Sequence, residues 1–335
     1  METAVWDNPC SMRPATVLVL LVPVACGALA LALATGSAGV RPTDLAELIS
    51  IQDPATRDII MDLRLPRSVT AFGSGALLAL AGALLQALLR NPLADPFVVG
   101  ISSGSGAMTL LAMLAGAGGL LAAMAGLAGA LLSTALLFML AWRGGLLPLR
   151  LLLAGVILSA AWGALITLIL ALAPDAPLRG MVFWLMGDLG QGDPALAWIT
   201  PAGAIVALAL AFPLARGFDA LVAGEMTAAS LGIAVNRLRI ATLGLAATIT
   251  ALVVITAGSI GFVGLVTPHL LRLAGLRRHR LLLPGCVFGG GTLLLLADVL
   301  ARSVAAPLQL PVGAVIALLG APLFLWLLTR TATAR

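Results

Sequence analysis

The sequence predicts an all-α membrane protein with ten transmembrane helices per protomer. Of its 335 residues, 61% are hydrophobic and 10% are charged, and the mean hydropathy is +1.12. A soluble domain is only about 45–50% apolar. The apolar segments are about 17 to 25 residues long, which is the length that a helix needs to cross a ~30 Å hydrocarbon core. Composition and segment length together assign the chain to the membrane class.

The order of the apolar segments predicts one transmembrane domain over residues 15–329, with a short segment at each terminus. Residues 1–14 lack the basic start and the cleavage site of a removable signal, so we expect a cytoplasmic lead there and a cytoplasmic tail over 330–335. The ten apolar segments are expected at 15–35, 65–89, 97–115, 119–141, 149–173, 196–215, 236–257, 259–275, 282–301 and 312–329.

The arginines predict the orientation. All 19 basic residues are arginine, because the chain contains no lysine. Cytoplasmic loops are enriched in basic residues. If both termini are cytoplasmic, most of the arginines lie in cytoplasmic loops and few lie outside, so this orientation is predicted. Without lysine, the chain has neither a Walker-type ATP site nor lysine chemistry, and loop arginines in a membrane protein do not indicate a nucleic-acid surface. The arginines expected outside are Arg41, Arg57, Arg64, Arg67, Arg179 and Arg302.

Two loops are long enough to hold structure of their own. The outer loop 36–63 is expected to carry a short surface helix, and the inner loop 216–235 has helical content and small residues. The inner loop divides the chain into five segments before it and five after it. An odd number per half predicts that two similar halves lie inverted in the membrane. No sequence repeat is evident, so this prediction depends on the count alone.

Charged residues mark the outer ends of two segments. Arg64 and Arg67 are three residues apart, so a helix places them on one face. They are either interface anchors or a docking site for an acidic partner, to which Arg302 would add. Asp298 lies one turn before Arg302, which predicts an ion pair between them.

A polar break separates the second and third segments. Gln86, Asn91 and Asp95 are followed by Ser102 and Ser103 in the run GISSGSG. Irregular backbone near a membrane must be covered by protein or line a cavity, so we expect this loop to line a cavity or to pack against a partner chain. An ordinary Asn-Pro turn explains the prolines, and small residues allow either close helix packing or room for a solute.

No enzyme site is evident. Motifs such as HExxH and CxxC are absent, and His269 and His279 are too few for a histidine metal site. Pro268 and His269 lie within the eighth segment, where the histidine is either a proton relay or ligand, or is satisfied by a neighbouring carbonyl, which we favour. Cys10, Cys26 and Cys286 are scattered singly and are interpreted as packing residues.

Six motifs in order resemble a known family. They are RLPR at 64–67, GALLQALLRNPLADPFVVGISSGSGA at 82–107, AASLGI at 228–233, GSIGFVGLVTPHLLR at 258–272, ADVLAR at 297–302 and LPVGAVIALLGAPLFLWLL at 310–328. The chain resembles the permease subunits of the iron-siderophore, haem and vitamin B12 uptake family, the FecCD-type type II ABC importers. The resemblance covers residues 64–329.

The resemblance implies a partner assembly. Two permeases, identical or paralogous, would lie between two cytoplasmic ATPases, which bind ATP and magnesium, and a periplasmic or lipid-anchored solute-binding protein. This chain would hold no cofactor or metal of its own. Its place would be the bacterial inner membrane, and its function the import of an iron(III)-siderophore chelate, with vitamin B12 or haem as alternatives. An ion-coupled carrier with inverted repeats is the alternative from another class, although the segments offer almost none of the buried ionisable groups that such a carrier needs.

The same resemblance implies roles for particular residues. The outer arginines Arg64, Arg67 and Arg302 would receive acidic residues of the binding protein. Segments five and ten would line the pathway. Gln309 departs from the family, where many relatives have glutamate, so Asp298 is left to balance Arg302. The residues implied to couple to the ATPase are Glu225, Ala228, Leu231 and Gly232, and the pathway or gate candidates are Gln86, Asn91, Ser102, Ser103, Gly144, Gly145, Pro268 and His269.

Overall fold

A computed structural model describes residues 13–35, 57–97, 99–142, 146–190 and 194–332, without the side chains of 195 and 327–332. Within these ranges the chain is helical apart from short turns, which confirms the all-α prediction. The surface helix expected in the outer loop falls mostly on residues 36–56, and the turn with Gly144 and Gly145 falls on 143–145. Both lie outside the described residues.

Thirteen α-helices follow one another in the described part of the chain. They are α1 (Pro14–Ala34), α2 (Leu65–Leu89), α3 (Ile101–Leu114), α4 (Gly119–Trp142), α5 (Pro148–Leu172), α6 (Asp175–Leu185), α7 (Ile199–Ala211), α8 (Ala215–Ala223), α9 (Glu225–Ser230), α10 (Val235–Ala257), α11 (Val263–Leu273), α12 (His279–Ser303) and α13 (Val312–Ala332).

Seven helical segments in the described ranges are long and apolar enough to cross a membrane. The other three predicted segments coincide with the shorter apolar helices α3, α11 and α13. The apolar segments are therefore where the sequence predicts them, which makes the chain a multi-pass membrane protein. The count of ten crossings stays a prediction.

Helix α2 is the centre of the bundle. Its residues from Val69 onward are almost all buried, and α12, α10, α7 and α11 pack around it. Close packing is possible because glycine faces glycine: a Cβ on Gly75 would collide with the Gly290 carbonyl of α12, and one on Gly82 would collide with Gly264 of α11. Without side chains at these points, the helix backbones approach closely.

The break between α10 and α11 depends on its local backbone. Gly258 has φ 73°, and a Cβ there would meet the Trp184 carbonyl. Phe262 precedes α11 with φ 67°, a left-handed conformation that is uncommon outside glycine. Gly258 therefore allows the chain to leave α10 in a left-handed conformation and to pass close to the Trp184 backbone.

Two helix boundaries differ from the prediction. The second segment begins before residue 65, because a π-helical turn over Ile59–Arg64 leads directly into α2. The sixth segment does not end at 215, because a 3₁₀ turn over Phe212–Leu214 joins α7 to α8. The helical content expected in the inner loop is confirmed as α8 and α9.

Candidate functional site

At the predicted outer end of the bundle, two arginines share one buried carboxylate. Asp298 on α12 is fully buried, and its Oδ2 lies 3.0 Å from Nε of Arg302, which confirms the predicted ion pair. Its Oδ1 lies 2.9 Å from Nη2 of Arg67 on α2. Arg67 also donates to Oε1 of Gln309 at 2.6 Å. A buried carboxylate is costly unless it is paired in this way, so Asp298 joins α2 to α12.

The remaining donors of this outer cluster (Arg64, Arg67, Asp298, Arg302) cap the end of α1. Arg302 donates to the carbonyls of Thr35 at 3.0 Å and Ala32 at 3.3 Å. Arg64 donates to the carbonyl of Leu33 at 2.8 Å. The last carbonyls of a helix have no partner within it, and positive charge is favourable there. Three helices are therefore held together at one point.

The polar break after α2 lines a cavity of about 660 Å³, as predicted. Asn91 accepts a bond from the Leu93 N–H at 2.9 Å, and Asp95 accepts one from the Phe97 N–H at 2.9 Å. These turns direct the loop residues toward Phe262 and α13, which form the facing wall. The cavity is mainly apolar, with Asp95 as its carboxylate.

Asp95 has no cationic partner among its described hydrogen bonds. Burial of this loop residue raises its pKa to about 6, while the bond from Phe97 acts in the opposite direction. Desolvation thus outweighs the local hydrogen bond, and the carboxyl group titrates close to neutral pH.

On the predicted inner side, residues 215–233 form a segment with apolar side chains at its surface. Met226 is 88% exposed and Leu231 67% exposed. Ala228 is buried beneath them, and Gly232 adopts φ 78° with open space around it. This inner segment resembles a docking surface, because exposed apolar groups outside the lipid-facing helices call for a partner.

Two carboxylates attach the inner segment to the bundle. Glu225 forms a two-pronged pair with the buried Arg239 of α10, with distances of 2.7 and 3.2 Å. Asp219 accepts a bond from the backbone N–H of His279 at 3.0 Å and lies 2.7 Å from the ring Nδ1. The bidentate geometry fixes orientation as well as distance.

Comparison with known proteins identifies the family. A family model described as the FecCD transport family matches residues 20–330. The chain belongs to this family. It is 39% identical over 306 residues to the vitamin B12 import system permease protein BtuC of Escherichia coli strain UMN026, covering 90% of this chain and 91% of the relative. BtuC of strain E24377A matches to the same extent.

Solved structures agree with this assignment. An inward-facing metal-chelate type ABC transporter matches with a TM-score of 0.86 and 30% identity, over 94% of this chain and 99% of that one. PsaBC from Streptococcus pneumoniae matches with a TM-score of 0.57 and 18% identity, over 84% of this chain and 94% of that one, which supports the fold alone. The chain is therefore a permease subunit of a FecCD-family ABC importer.

The structure brings the three predicted docking arginines close together, but they differ in how exposed they are. Arg302 is only 4% exposed, so its guanidinium is not presented at the surface as expected. It is buried because it serves Asp298 and the end of α1 at once. Arg64 and Arg67 remain partly exposed, and they contact different neighbours: Arg64 the end of α1, and Arg67 both Asp298 and Gln309.

The pathway candidates are distributed between packing positions and the cavity. Gln86 is buried between α2 and α11, where it donates to the Gly264 carbonyl at 3.1 Å and accepts from Arg272. Ser102 is buried in α3, whose Gly104 packs against Ser133 of α4, so the run GISSGSG serves close packing. Asn91 holds the turn beside the cavity. Ser103 is partly exposed and Pro268 is buried within α11.

His269 packs against an aromatic ring. Its ring lies edge-on to Phe324 at 5.6 Å, and no hydrogen-bond partner reaches its Nε2 among the described residues. A carbonyl partner for the histidine stays a prediction. The apolar neighbour explains its position as a packing residue.

Three functional contacts were not predicted from the sequence. They are the contacts of Arg239, of Arg272 and of the pair Asp219 with His279. Their partners lie 14, 186 and 60 residues away in the chain, respectively. No helical spacing connects residues that far apart, so local patterns carry no signal for these contacts.

Proposed function

We propose that the chain is the permease subunit of a binding-protein-dependent importer that carries an iron(III)-siderophore chelate across the bacterial inner membrane. It pairs with a second permease, identical or paralogous, and each permease contains two inverted halves of five helices. ATP is hydrolysed by two separate cytoplasmic subunits, which hold ATP and magnesium. A periplasmic or lipid-anchored binding protein delivers the solute from outside.

The inner segment is the observation that carries this proposal. Met226 and Leu231 project from a segment that is held to the bundle by the Glu225–Arg239 ion pair and by the contact of Asp219 with His279. Exposed apolar groups on a fixed support suit docking to a partner that moves as a rigid body. In this account Leu231 and Gly232 contact the ATPase, Ala228 supports them from below, and Glu225 holds their position.

The outer cluster supports docking of an acidic partner. It contains three arginines against one buried aspartate, so an excess of positive charge remains. Arg64 and Arg67 are in reach of a partner, and Arg302 contributes through its charge and through the position of α1. Individual exposed pairs of this kind are weak, so their contribution is steering and orientation.

The cavity beside Asn91 and Asp95 supports passage of a bulky solute. Its walls include Gly261, Gly313 and Ala314, whose small side chains leave space without specific polar groups. A weakly binding wall lets a chelate pass without being retained. Recognition then resides mostly in the binding protein.

Vitamin B12 is the second candidate solute. The relatives at 39% identity are named as vitamin B12 import permeases, whereas the structural match at 30% identity is described by the broader class of metal chelates. Both solutes are bulky chelates, so the same wall suits either. Haem is a further alternative of the same kind.

Competition between solutes tests the proposal. The complex with its own ATPase and binding protein is reconstituted in vesicles, and uptake of a radiolabelled iron-siderophore is measured against excess vitamin B12 and excess haem. We expect unlabelled siderophore to suppress the uptake, and excess vitamin B12 and excess haem to leave it unchanged. Uptake of vitamin B12 or haem in preference would replace the iron-siderophore assignment, and mass spectrometry of the ligand on the cognate binding protein would identify the solute.

The docking role of the inner segment predicts a defined loss. Leu231→Asp places a charge in an apolar contact, so we expect ATPase co-purification to fall by roughly tenfold or more. Leu308→Asp is the matched control, because Leu308 is equally exposed but lies in the predicted outer loop. Normal ATPase recovery and uptake with Leu231→Asp would remove the coupling assignment.

A further inference from the structure

We infer that Asp219 and His279 form the contact that passes motion of the inner segment to α12, and through α12 to the outer cluster. The inference rests on the proposed function, because it needs an ATPase on the inner side and a binding protein on the outer side. It assigns positioning roles to Asp219 and His279, which are not among the residues proposed above to dock the ATPase or the binding protein.

The contact is a helix cap supplied from a distant part of the chain. His279 is the first residue of α12, and the preceding Arg278 makes no side-chain cap bond. The first N–H groups of a helix have no partner within it, and a carboxylate is favourable at that end. A single oxygen of Asp219 accepts the His279 N–H at 3.0 Å and lies 2.7 Å from the ring Nδ1. Asp219 thus holds both the backbone and the side chain of the same residue.

Apolar packing reinforces this cap. Phe218, which precedes Asp219 on α8, is fully buried, and its ring lies 5.5 Å from that of His279. His279 itself is 3% exposed. If α8 moved without α12, both rings would lose their contact and the carboxylate would lose two bonds. The end of α12 is therefore expected to follow α8.

The other end of α12 carries the second fixed contact. The helix has 25 residues, so it is about 37 Å long and reaches from one predicted side of the membrane to the other. Asp298 and Arg302 lie near its outer end, where they bind Arg67 of α2 and the carbonyls of α1. Between the two ends, the glycine contact of α12 with α2 leaves little room for sliding. One helix thus joins the inner segment to the arginines of the outer cluster.

Coupling between the two faces is the property to measure. The reconstituted complex is prepared with wild-type permease, Asp219→Ala, Asp219→Asn and the control Asp175→Ala. Asp175 is also an acidic residue in the first turn of a helix, and it is exposed. Two ratios are recorded: ATPase activity with binding protein over activity without it, and solute imported per ATP hydrolysed.

We expect Asp219→Ala to lower both ratios by roughly fivefold or more, the usual size of a coupling effect. Asp219→Asn keeps an oxygen that can accept the His279 N–H, so its loss should be smaller. Asp175→Ala should match the wild type. His279→Ala should add little to Asp219→Ala, because the two residues act through one contact.

Several results would overturn the inference. Wild-type ratios for Asp219→Ala would do so, as would fully additive losses in the double variant. Loss of ATPase assembly with both Asp219 variants would make Asp219 a docking residue instead. A wild-type complex that is stimulated by its binding protein but imports none of the tested chelates contradicts the proposed solute alone, since the ATPase ratio still tests Asp219. A wild-type chain that recruits no ATPase overturns the proposed function and this inference together.

Discussion

Two buried carboxylates show how single residues determine the behaviour of this permease. Asp298 is ionically paired with Arg67 and Arg302, whereas Asp95 relies on a backbone N–H. The pair Asp298 with Arg302 was predictable because the residues are one helical turn apart. Arg67 was not predictable as its partner, because it lies 231 residues away and joins the pair only when α2 packs on α12.

Removal of Asp298 should destabilise the protein strongly. Asp298→Ala leaves two arginines close together without their shared carboxylate, one of them buried, which costs about 3 to 5 kcal/mol when a buried pair is broken. The thermal unfolding temperature in detergent should fall well below that of the wild type. Asp62→Ala, at an exposed position, is the control and should unfold like the wild type. Equal unfolding temperatures for all three proteins would contradict the role assigned to Asp298.

Asp95 predicts a dependence of stability on pH. Its folded pKa of about 6 lies above the ordinary value of 3.8, so the folded protein binds more protons than the unfolded chain between these values. Stability from this residue is therefore greatest at low pH and is lost as the pH rises through 6. Asp95→Asn should remove this part of the pH dependence and should unfold at a higher temperature than wild type near neutral pH.

The prediction for Asp95 is checked by the difference in unfolding temperature between two proteins, measured at two pH values. Unfolding temperatures of wild type and Asp95→Asn are compared at about pH 4 and about pH 7, where other titrations cancel in the difference. A difference that does not change with pH would show that Asp95 stays ionised in the fold.

At the scale of helices, apolar patterns locate the elements but not their junctions. The predicted segments coincide with the long helices and with α3, α11 and α13, since length and hydropathy are local properties. The junctions depend on tertiary contacts instead. Phe262 adopts its left-handed conformation beside Gly320 of α13, and α7 continues into α8 without a break, and neither follows from hydropathy.

The central position of α2 predicts sensitivity at its glycines. Gly82→Ala would place a methyl group against the backbone of Gly264, so the helices must separate and folding yield should drop severalfold. Gly244→Ala on α10 is the matched control, because the space around Gly244 is open and alanine favours a helix by about 1 kcal/mol. Yield and monodispersity after purification measure the effect. Equal yields would mean that α2 and α11 can move apart at little cost.

At the scale of the whole molecule, the order of six motifs was enough to predict the family. The family model over residues 20–330 confirms that prediction. The motifs did not show which charged side chains are paired within the chain itself. Arg302 and Glu225, to which the resemblance assigns partner contacts, both form pairs within the chain. We propose that they act on partners through the position of α1 and of the inner segment.

Docking of the binding protein predicts an effect of charge reversal. Arg64→Glu should weaken association of the binding protein by roughly fivefold, with the larger loss at low salt, while ATPase assembly is retained because Arg67 keeps its pair with the buried Asp298. Surface plasmon resonance on the complex in nanodiscs measures the affinity. Arg57→Glu is the control, because Arg57 is exposed on the same predicted side. An unchanged affinity with Arg64→Glu would remove Arg64 from the docking surface.

Energy coupling of uptake tests the central claim most directly. The permease is reconstituted with its ATPase and binding protein, and chelate uptake is measured in vesicles loaded with ATP and, separately, in vesicles without ATP under an imposed proton or sodium gradient. We predict uptake with ATP that persists when ionophores collapse the gradients, and no uptake from a gradient alone. Uptake driven by a gradient without ATP would contradict the account and favour an ion-coupled carrier.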